Sequence, residues 1–118
     1  MKEEEFERRT FVEIVADLDS YTHTALTQSN YPRAQRYVLC AEISKLMNEI
    51  FTLAVRCKKG YMQKSTLQNI DINLEIMRFK IRESETKKYI SPERRHKWIR
   101  RVNEVGRMTG GWIKKQQG

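Results

Sequence analysis

Breakers of regular structure are scarce in this chain, whose 118 residues include two prolines and five glycines. So few breakers argue against a loop-rich fold and favour long uninterrupted elements. No apolar run approaches the roughly 18 to 20 residues of a membrane-spanning helix. The acidic start, Met1–Phe6, also lacks the apolar segment of a secretion signal. The sequence therefore predicts a single cytoplasmic domain with no membrane association.

Cysteine is equally scarce, with only Cys40 and Cys57 present. Both lie in one helical pattern, 17 residues apart. A helical rise of about 1.5 Å per residue then separates them by roughly 25 Å, beyond the reach of a disulfide. Neither has a Cys or His at metal-ligand spacing. We expect two reduced thiols that pack as small core residues, and no metal site.

Three short breaks divide the chain: Asn30–Pro32, Cys57–Gly60 and Ile90–Glu93. Between them apolar residues recur at steps of three and four, as on an amphipathic helix, and no segment keeps the period of a strand. Ser91 suits the cap, and Pro92 the first turn, of the last helix. The sequence predicts an all-α, antiparallel up-down four-helix bundle over 1–118, with helices at about 5–29, 33–58, 64–87 and 92–115.

The apolar stripes of these helices form the expected core. The second helix carries an additional line, which either a subunit interface or deeper burial would explain. The stripes are Phe11, Ile14, Leu18, Tyr21 and Ala25; Leu39, Ile43, Leu46, Ile50, Leu53 and Cys57, with the additional line Cys40, Met47, Phe51 and Ala54; Leu67, Ile70, Leu74, Met77 and Ile81; and Trp98, Val102, Val105, Thr109 and Trp112.

Positive charge is concentrated at the end of the chain. Residues 1–29 hold 3 basic and 7 acidic groups, whereas residues 78–118 hold 13 and 4, within a net charge of +8. Such a field attracts polyanions, and each neutralised phosphate releases counterions. We therefore expect binding to a nucleic-acid backbone. One alternative is a basic face that is only solvated; another is a head-to-tail ring in which this face pairs with the acidic first helix of a neighbouring subunit. The predicted contacts are Arg78, Arg82, Lys87, Lys88, Arg94, Arg95, Lys97, Arg100, Arg101, Arg107, Lys114 and Lys115.

The chain is poor in catalytic groups. His23 and His96 are its two histidines, and neither has a nucleophile or carboxylate at a supporting spacing. Phosphate-binding loops and metal-ligand motifs are also missing. Asp71 and Glu75 are four residues apart but lack the Glu-x-x-His pairs of a di-metal bundle. We expect neither catalytic residues nor a cofactor, and hence no enzyme.

The segment Asn103–Ile113 departs from ordinary bundle sequence. It contains Gly106, Gly110 and Gly111, each of which costs up to about 1 kcal/mol in a helix interior relative to alanine. Gly106 and Gly110 would form a smooth strip that another helix can approach closely, with Trp112 as an anchor beside it. A frayed last helix is the alternative interpretation.

This tail segment, preceded by Leu74–Arg82, resembles the accessory variability determinant family over residues 67–115. Members of that family accompany the reverse transcriptase of diversity-generating retroelements. The resemblance implies a pentameric ring of four-helix bundles that binds the reverse transcriptase and RNA or DNA during mutagenic copying, without catalytic activity. By motif, it assigns Arg78 and Arg82 to the basic positions of the third helix, Arg107 to the tail arginine, and Gly106, Gly110 and Trp112 to packing or interface positions.

Two other interpretations stay open. Helical bundles encoded by intervening sequences in ribosomal RNA genes are similar in fold to this family. A scaffold whose basic face binds an acidic protein would have the same charge distribution. The acidic stretch Glu3–Glu7 departs from the family's pattern.

Overall fold

The fold is known from a computed structural model, which describes residues 3–61 and 64–117. Met1 and Lys2, from the acidic start, lie outside the described residues. The helices are α1 (Glu3–Gln28), α2 (Leu39–Lys58), α3 (Lys64–Thr86) and α4 (Pro92–Gln117), with a short 3-10 helix (Arg33–Tyr37) before α2. The described part of the chain contains no β-strand, as the all-α prediction requires.

Each helix packs against two others, in the cyclic order α1, α2, α3, α4. Contacts between α1 and α4 run in opposite chain directions, because Thr22 meets Trp98 whereas Glu7 meets Trp112. With short connections between successive helices, this gives a bundle 46 × 24 × 21 Å in extent. The predicted four-helix packing is confirmed; assembly into a ring stays a prediction.

The predicted core stripes of α3 and α4 are buried along their whole lengths, which confirms the helical spacing read from the sequence. At the centre, Trp98 is fully buried and its indole Nε1 donates a 2.9 Å hydrogen bond to the hydroxyl of Thr22. In α1, Val15 and Thr22 are buried, while Ile14 and Tyr21 are half-buried at the edge of the stripe.

The additional apolar line of α2 is explained by burial within one chain. Cys40, Met47 and Ala54 belong to the core, and Phe51 packs partly buried against it. The second explanation offered by the sequence, deeper burial of α2, is therefore correct.

The predicted helix 33–58 is divided in the structure. Residues Arg33–Tyr37 form a 3-10 helix with no buried residue, and Val38 leaves helical geometry at φ −116°, ψ −85°. The physical reason is that no side chain of this segment is buried against the bundle, since Tyr37 and Val38 are exposed, whereas Leu39 and Cys40 beyond them are buried. The α-helix consequently begins at Leu39.

Helix ends follow the chemistry of their residues. Gly60 has φ +94° after α2, and the amides of Gly60 and Tyr61 donate to the carbonyls of Cys57 and Arg56, a Schellman closure. Lys88 occupies the corresponding left-handed position after α3 with φ +64°. At the start of α4, the Ser91 hydroxyl accepts a 3.0 Å hydrogen bond from the amide of Arg94, as predicted for a cap.

Candidate nucleic-acid interface

The outer face of α4 carries a line of three cations. Arg100, Arg107 and Lys114 are exposed and repeat every seven residues. Two turns of helix place them about 10 Å apart along the axis. This line is opposite the stripe of Trp98, Val102, Val105, Thr109 and Trp112, which is buried against the other helices. The core therefore fixes which cations of α4 face solvent.

Six of the twelve predicted contact residues are engaged in ion pairs with carboxylates. Where both side chains are exposed, such a pair contributes roughly 0 to 1 kcal/mol to stability. In every pair, a phosphate has to compete with the carboxylate for the cation. The pairs are Arg78–Glu75, Lys87–Glu83, Arg95–Glu85, Lys97–Glu93, Arg101–Asp17 and Lys115–Glu7.

Arg101 has a structural position between α4 and α1. Its Nε donates a 3.1 Å hydrogen bond to Asp17 and its Nη1 donates to the carbonyl of Lys97. The guanidinium also lies 4.3 Å from the ring centroid of Tyr21, a cation–π contact. Only 22% of the side chain is exposed. Arg101 therefore joins α4 to α1. Its predicted role as a phosphate contact stays a prediction.

Arg94 lies next to the same tyrosine, with its guanidinium carbon 6.0 Å from the Tyr21 ring centroid. It is half-buried, and its Nη1 is buried without a hydrogen-bond partner among the described residues. The side chain thus covers Tyr21 more than it projects into solvent. Arg94 is a weaker candidate for phosphate binding than the sequence suggested.

Arg78 crosses from α3 to α4. Its Nε donates a 2.9 Å hydrogen bond to the Asn103 side chain, and its Nη1 is 3.7 Å from a Glu75 carboxylate oxygen. Only 16% of the side chain is exposed. The sequence treated Arg78 as equivalent to Arg82, whereas the structure distinguishes them, because Arg82 is exposed and has no partner within the described residues.

Five of the predicted contacts are exposed and also keep their charge free of ion pairs and hydrogen bonds within the described part of the chain. Three form the outer line of α4. Arg82 lies on the flank of α3 that faces α4, because Arg78 and Glu85 on the same flank contact α4. Lys88 is exposed in the connection before α4. The candidate interface consists of Arg82, Lys88, Arg100, Arg107 and Lys114.

The glycines of the tail do not receive another helix within one chain. A Cβ on Gly106 would lie 2.8 Å from Nη2 of Arg78, so a side chain occupies that space. A Cβ on Gly110 would have no neighbour within 4 Å. Within one chain no helix packs on this strip, and its role at an interface stays a prediction. Trp112 is buried, and its ring packs edge-on against Phe11 at 4.8 Å between centroids.

The cysteines and histidines are the remaining reactive side chains. Cys40 and Cys57 are buried free thiols. Burial raises the pKa of Cys57 to about 11 and that of Cys40 above its usual value, so both stay protonated at neutral pH. His23 and His96 are exposed. Among the described residues no group of His, Cys, Asp and Glu could hold a metal ion.

Sequence reasoning missed an exposed apolar line on α3. Ile72, Ile76 and Phe79 are 56%, 40% and 64% exposed. Their spacing of four and three residues was visible in the sequence, but it runs parallel to the buried stripe on the opposite side of the helix. Next to this line, Ile76 and Leu46 form part of a groove of about 430 Å³ between α2 and α3.

No helix in the described part of the chain is long and apolar enough to cross a membrane. The four packed helices and the cations on α4 place the chain in the class of small all-α bundle proteins with a cation-rich outer helix. A family model described as bAvd-like matches residues 10–116, and the chain belongs to this family. The resemblance to accessory variability determinant proteins is thereby confirmed. Comparisons with curated proteins and with solved structures gave no match.

Proposed function

We propose that this chain is a non-catalytic accessory protein of a diversity-generating retroelement that binds the phosphate backbone of nucleic acid and docks the partner reverse transcriptase. The observation that carries the proposal is the outer line of α4, in which Arg100, Arg107 and Lys114 have no partner among the described residues. Membership in the bAvd-like family supports the biological setting.

Electrostatics favour phosphate as the ligand of this line. A phosphate that reaches Arg100, Arg107 or Lys114 releases counterions without breaking an existing ion pair, so the gain in free energy is not offset by a lost carboxylate contact. Point charges spaced along a straight helix position a backbone but do not read base edges. We therefore expect binding that depends strongly on salt and weakly on nucleotide sequence.

Docking to the reverse transcriptase is tested by co-purification from cells that express both proteins. The complex is isolated at low and high salt, with and without nuclease. We expect a complex that resists nuclease and dissociates at high salt, because the docking is direct and electrostatic. Loss of the complex on nuclease treatment alone would contradict direct docking and leave a bundle that binds polyanions generally.

Copies of this chain are also proposed to associate with one another. The exposed line Ile72, Ile76 and Phe79 lies on α3, away from the outer cations of α4, so copies that associate through it leave those cations accessible. The adjoining groove is lined by two glutamates and two lysines, a balanced rim that suits a protein surface more than a polyanion: Glu42, Glu49, Lys45 and Lys80. A second copy of the chain is the proposed occupant, and a ring of five is the state implied by the family resemblance.

Replacing Phe79 by glutamate should therefore abolish self-association. Burying a carboxylate at an apolar interface costs several kcal/mol, enough to dissociate a ring at micromolar concentration. We expect light scattering to give the mass of a monomer, 14.1 kDa, for Phe79→Glu, and about five times that mass for the wild type. Phe6→Glu is a matched control, because Phe6 is 60% exposed but lies on α1. Equal masses for Phe79→Glu and the wild-type ring would contradict the assigned surface.

A further inference from the structure

The two distinctive motifs of the sequence meet at a single point in the structure. Gly106, from the tail motif, lies against the guanidinium of Arg78, from the basic motif of α3. A Cβ built on Gly106 would be 2.8 Å from Nη2 of Arg78 and 3.9 Å from a methyl group of Leu74. The first distance is shorter than real Cβ contacts allow. Glycine at position 106 therefore provides the space in which the Arg78 guanidinium sits.

The guanidinium is held in this space by one hydrogen bond and one ion pair. Its Nε donates to Oδ1 of Asn103 at 2.9 Å, and its Nη1 is 3.7 Å from Glu75 on the same helix. Asn103 and Gly106 are three residues apart and so lie on one side of α4, facing α3. A planar guanidinium can contact both positions at once, whereas a lysine ammonium on a flexible stem cannot. Arg78, Asn103 and Gly106 thus form an inter-helix latch.

The latch is placed within the candidate interface. Asn103 follows Arg100 by three residues, and Gly106 directly precedes Arg107, so the latch lies between the first two cations of the outer line. Arg82 is one turn beyond Arg78 on the same flank of α3. A shift of α4 along α3 would therefore change the distances from Arg82 to Arg100 and Arg107 together.

We infer that Arg78 is a positioning residue, which holds the outer cations of α4 at a fixed register relative to Arg82 and does not itself bind phosphate. The inference rests on the proposed nucleic-acid binding. It follows from the limited exposure of the guanidinium, from its bond to Asn103 and from the glycine that accommodates it. A pre-arranged set of cations binds a backbone more tightly than a mobile set, because less freedom is lost on binding.

Duplex DNA of 20 base pairs is a suitable probe, with the dissociation constant measured over a range of salt concentrations. Gly106→Ala changes no charge but displaces the guanidinium, and Arg78→Lys keeps the charge but loses the latch. We expect each variant to bind about three- to tenfold more weakly at a fixed salt concentration, with the wild-type salt slope. Two results together would overturn the inference: Arg78→Lys and Gly106→Ala bind with wild-type affinity, and the salt slope of Arg78→Ala is lower by about 0.9. Arg78 would then be a direct phosphate contact.

A thermal melting cycle tests the latch without nucleic acid. In the Arg78→Ala background, Gly106→Ala should raise the melting midpoint by about 4 °C, because alanine is the better helix former. In the wild-type background the gain should be less than half of that, since the new methyl group displaces Arg78 from Asn103. Equal shifts of the melting midpoint in both backgrounds would show that Gly106 does not accommodate the Arg78 guanidinium.

The two experiments separate the inference from the function on which it rests. If the wild type binds no duplex, nucleic-acid binding by this surface is wrong, and the positioning role is wrong with it. Non-additive melting shifts in that case would still establish the contact between Arg78 and Gly106. If the wild type binds and the melting shifts are additive, the proposed function survives and the latch is rejected.

Discussion

Replacing Trp98 by alanine is expected to lower the free energy of unfolding by about 3 to 5 kcal/mol. The indole is fully buried at the centre of the bundle, and its Nε1 donates to the buried hydroxyl of Thr22. Truncation therefore removes apolar contacts from all neighbours, leaves a cavity and deprives Thr22 of its partner. A domain of this size has roughly 5 to 15 kcal/mol in total, so the variant should be marginally stable. Urea denaturation followed by circular dichroism, at one fixed protein concentration, measures the change.

Trp98→Phe provides the matched control. It keeps most of the ring volume and removes the N–H donor, so we expect a loss of about 1 to 2 kcal/mol. This variant should fold even if Trp98→Ala does not. A loss below about 1 kcal/mol for the alanine variant would contradict the central position of the indole in the core.

Removing the outer cations of α4 should weaken duplex DNA binding by two to three orders of magnitude at about 0.1 M salt. The variant Arg100→Gln, Arg107→Gln, Lys114→Gln removes three charges that have no partner among the described residues. Each phosphate contact contributes about 0.9 to the slope of log K against log salt on duplex DNA, so the slope should fall by about 2 to 3. Titrations by fluorescence anisotropy at several salt concentrations measure both quantities, and circular dichroism verifies that the helices are retained.

A second triple variant separates the position of the cations from net charge. Lys87→Gln, Lys97→Gln, Lys115→Gln also removes three positive charges, but from lysines paired with Glu83, Glu93 and Glu7. Because these lysines are already partly neutralised, we expect a smaller loss of affinity, of about tenfold or less. Equal losses for the two variants would mean that net charge, and not the outer line of α4, determines binding.

The sequence was sufficient for the parts of the fold that depend on local periodicity. The stripes of α3 and α4 were predicted residue by residue, because a buried helix face repeats every three to four residues wherever the helix lies. The cap at Ser91 and the helix end at Gly60 were readable for the same reason, since the chemistry of each is contained within a few neighbouring residues. The family was identified from the tail motif, which is also a local string.

The candidate site could be predicted only in part from the sequence. Composition identified a basic end of the chain but not which cations remain free, because their partners are distant in sequence. Arg78 meets Asn103 across 25 residues, and Arg101 meets Asp17 across 84. The apolar line of α3 was overlooked because its spacing matches that of a core stripe, and only packing shows which of two parallel lines faces solvent.

The amino-acid sequence by itself thus determined an all-α bundle of the bAvd-like family with a strongly basic end. The tertiary structure decided that Arg101 joins α4 to α1, that Gly106 accommodates Arg78, and that Arg100, Arg107 and Lys114 face solvent without partners among the described residues. The physical reason is the range of the interactions involved. Helix periodicity acts over one or two turns, whereas ion pairing and burial depend on which helices are adjacent after folding.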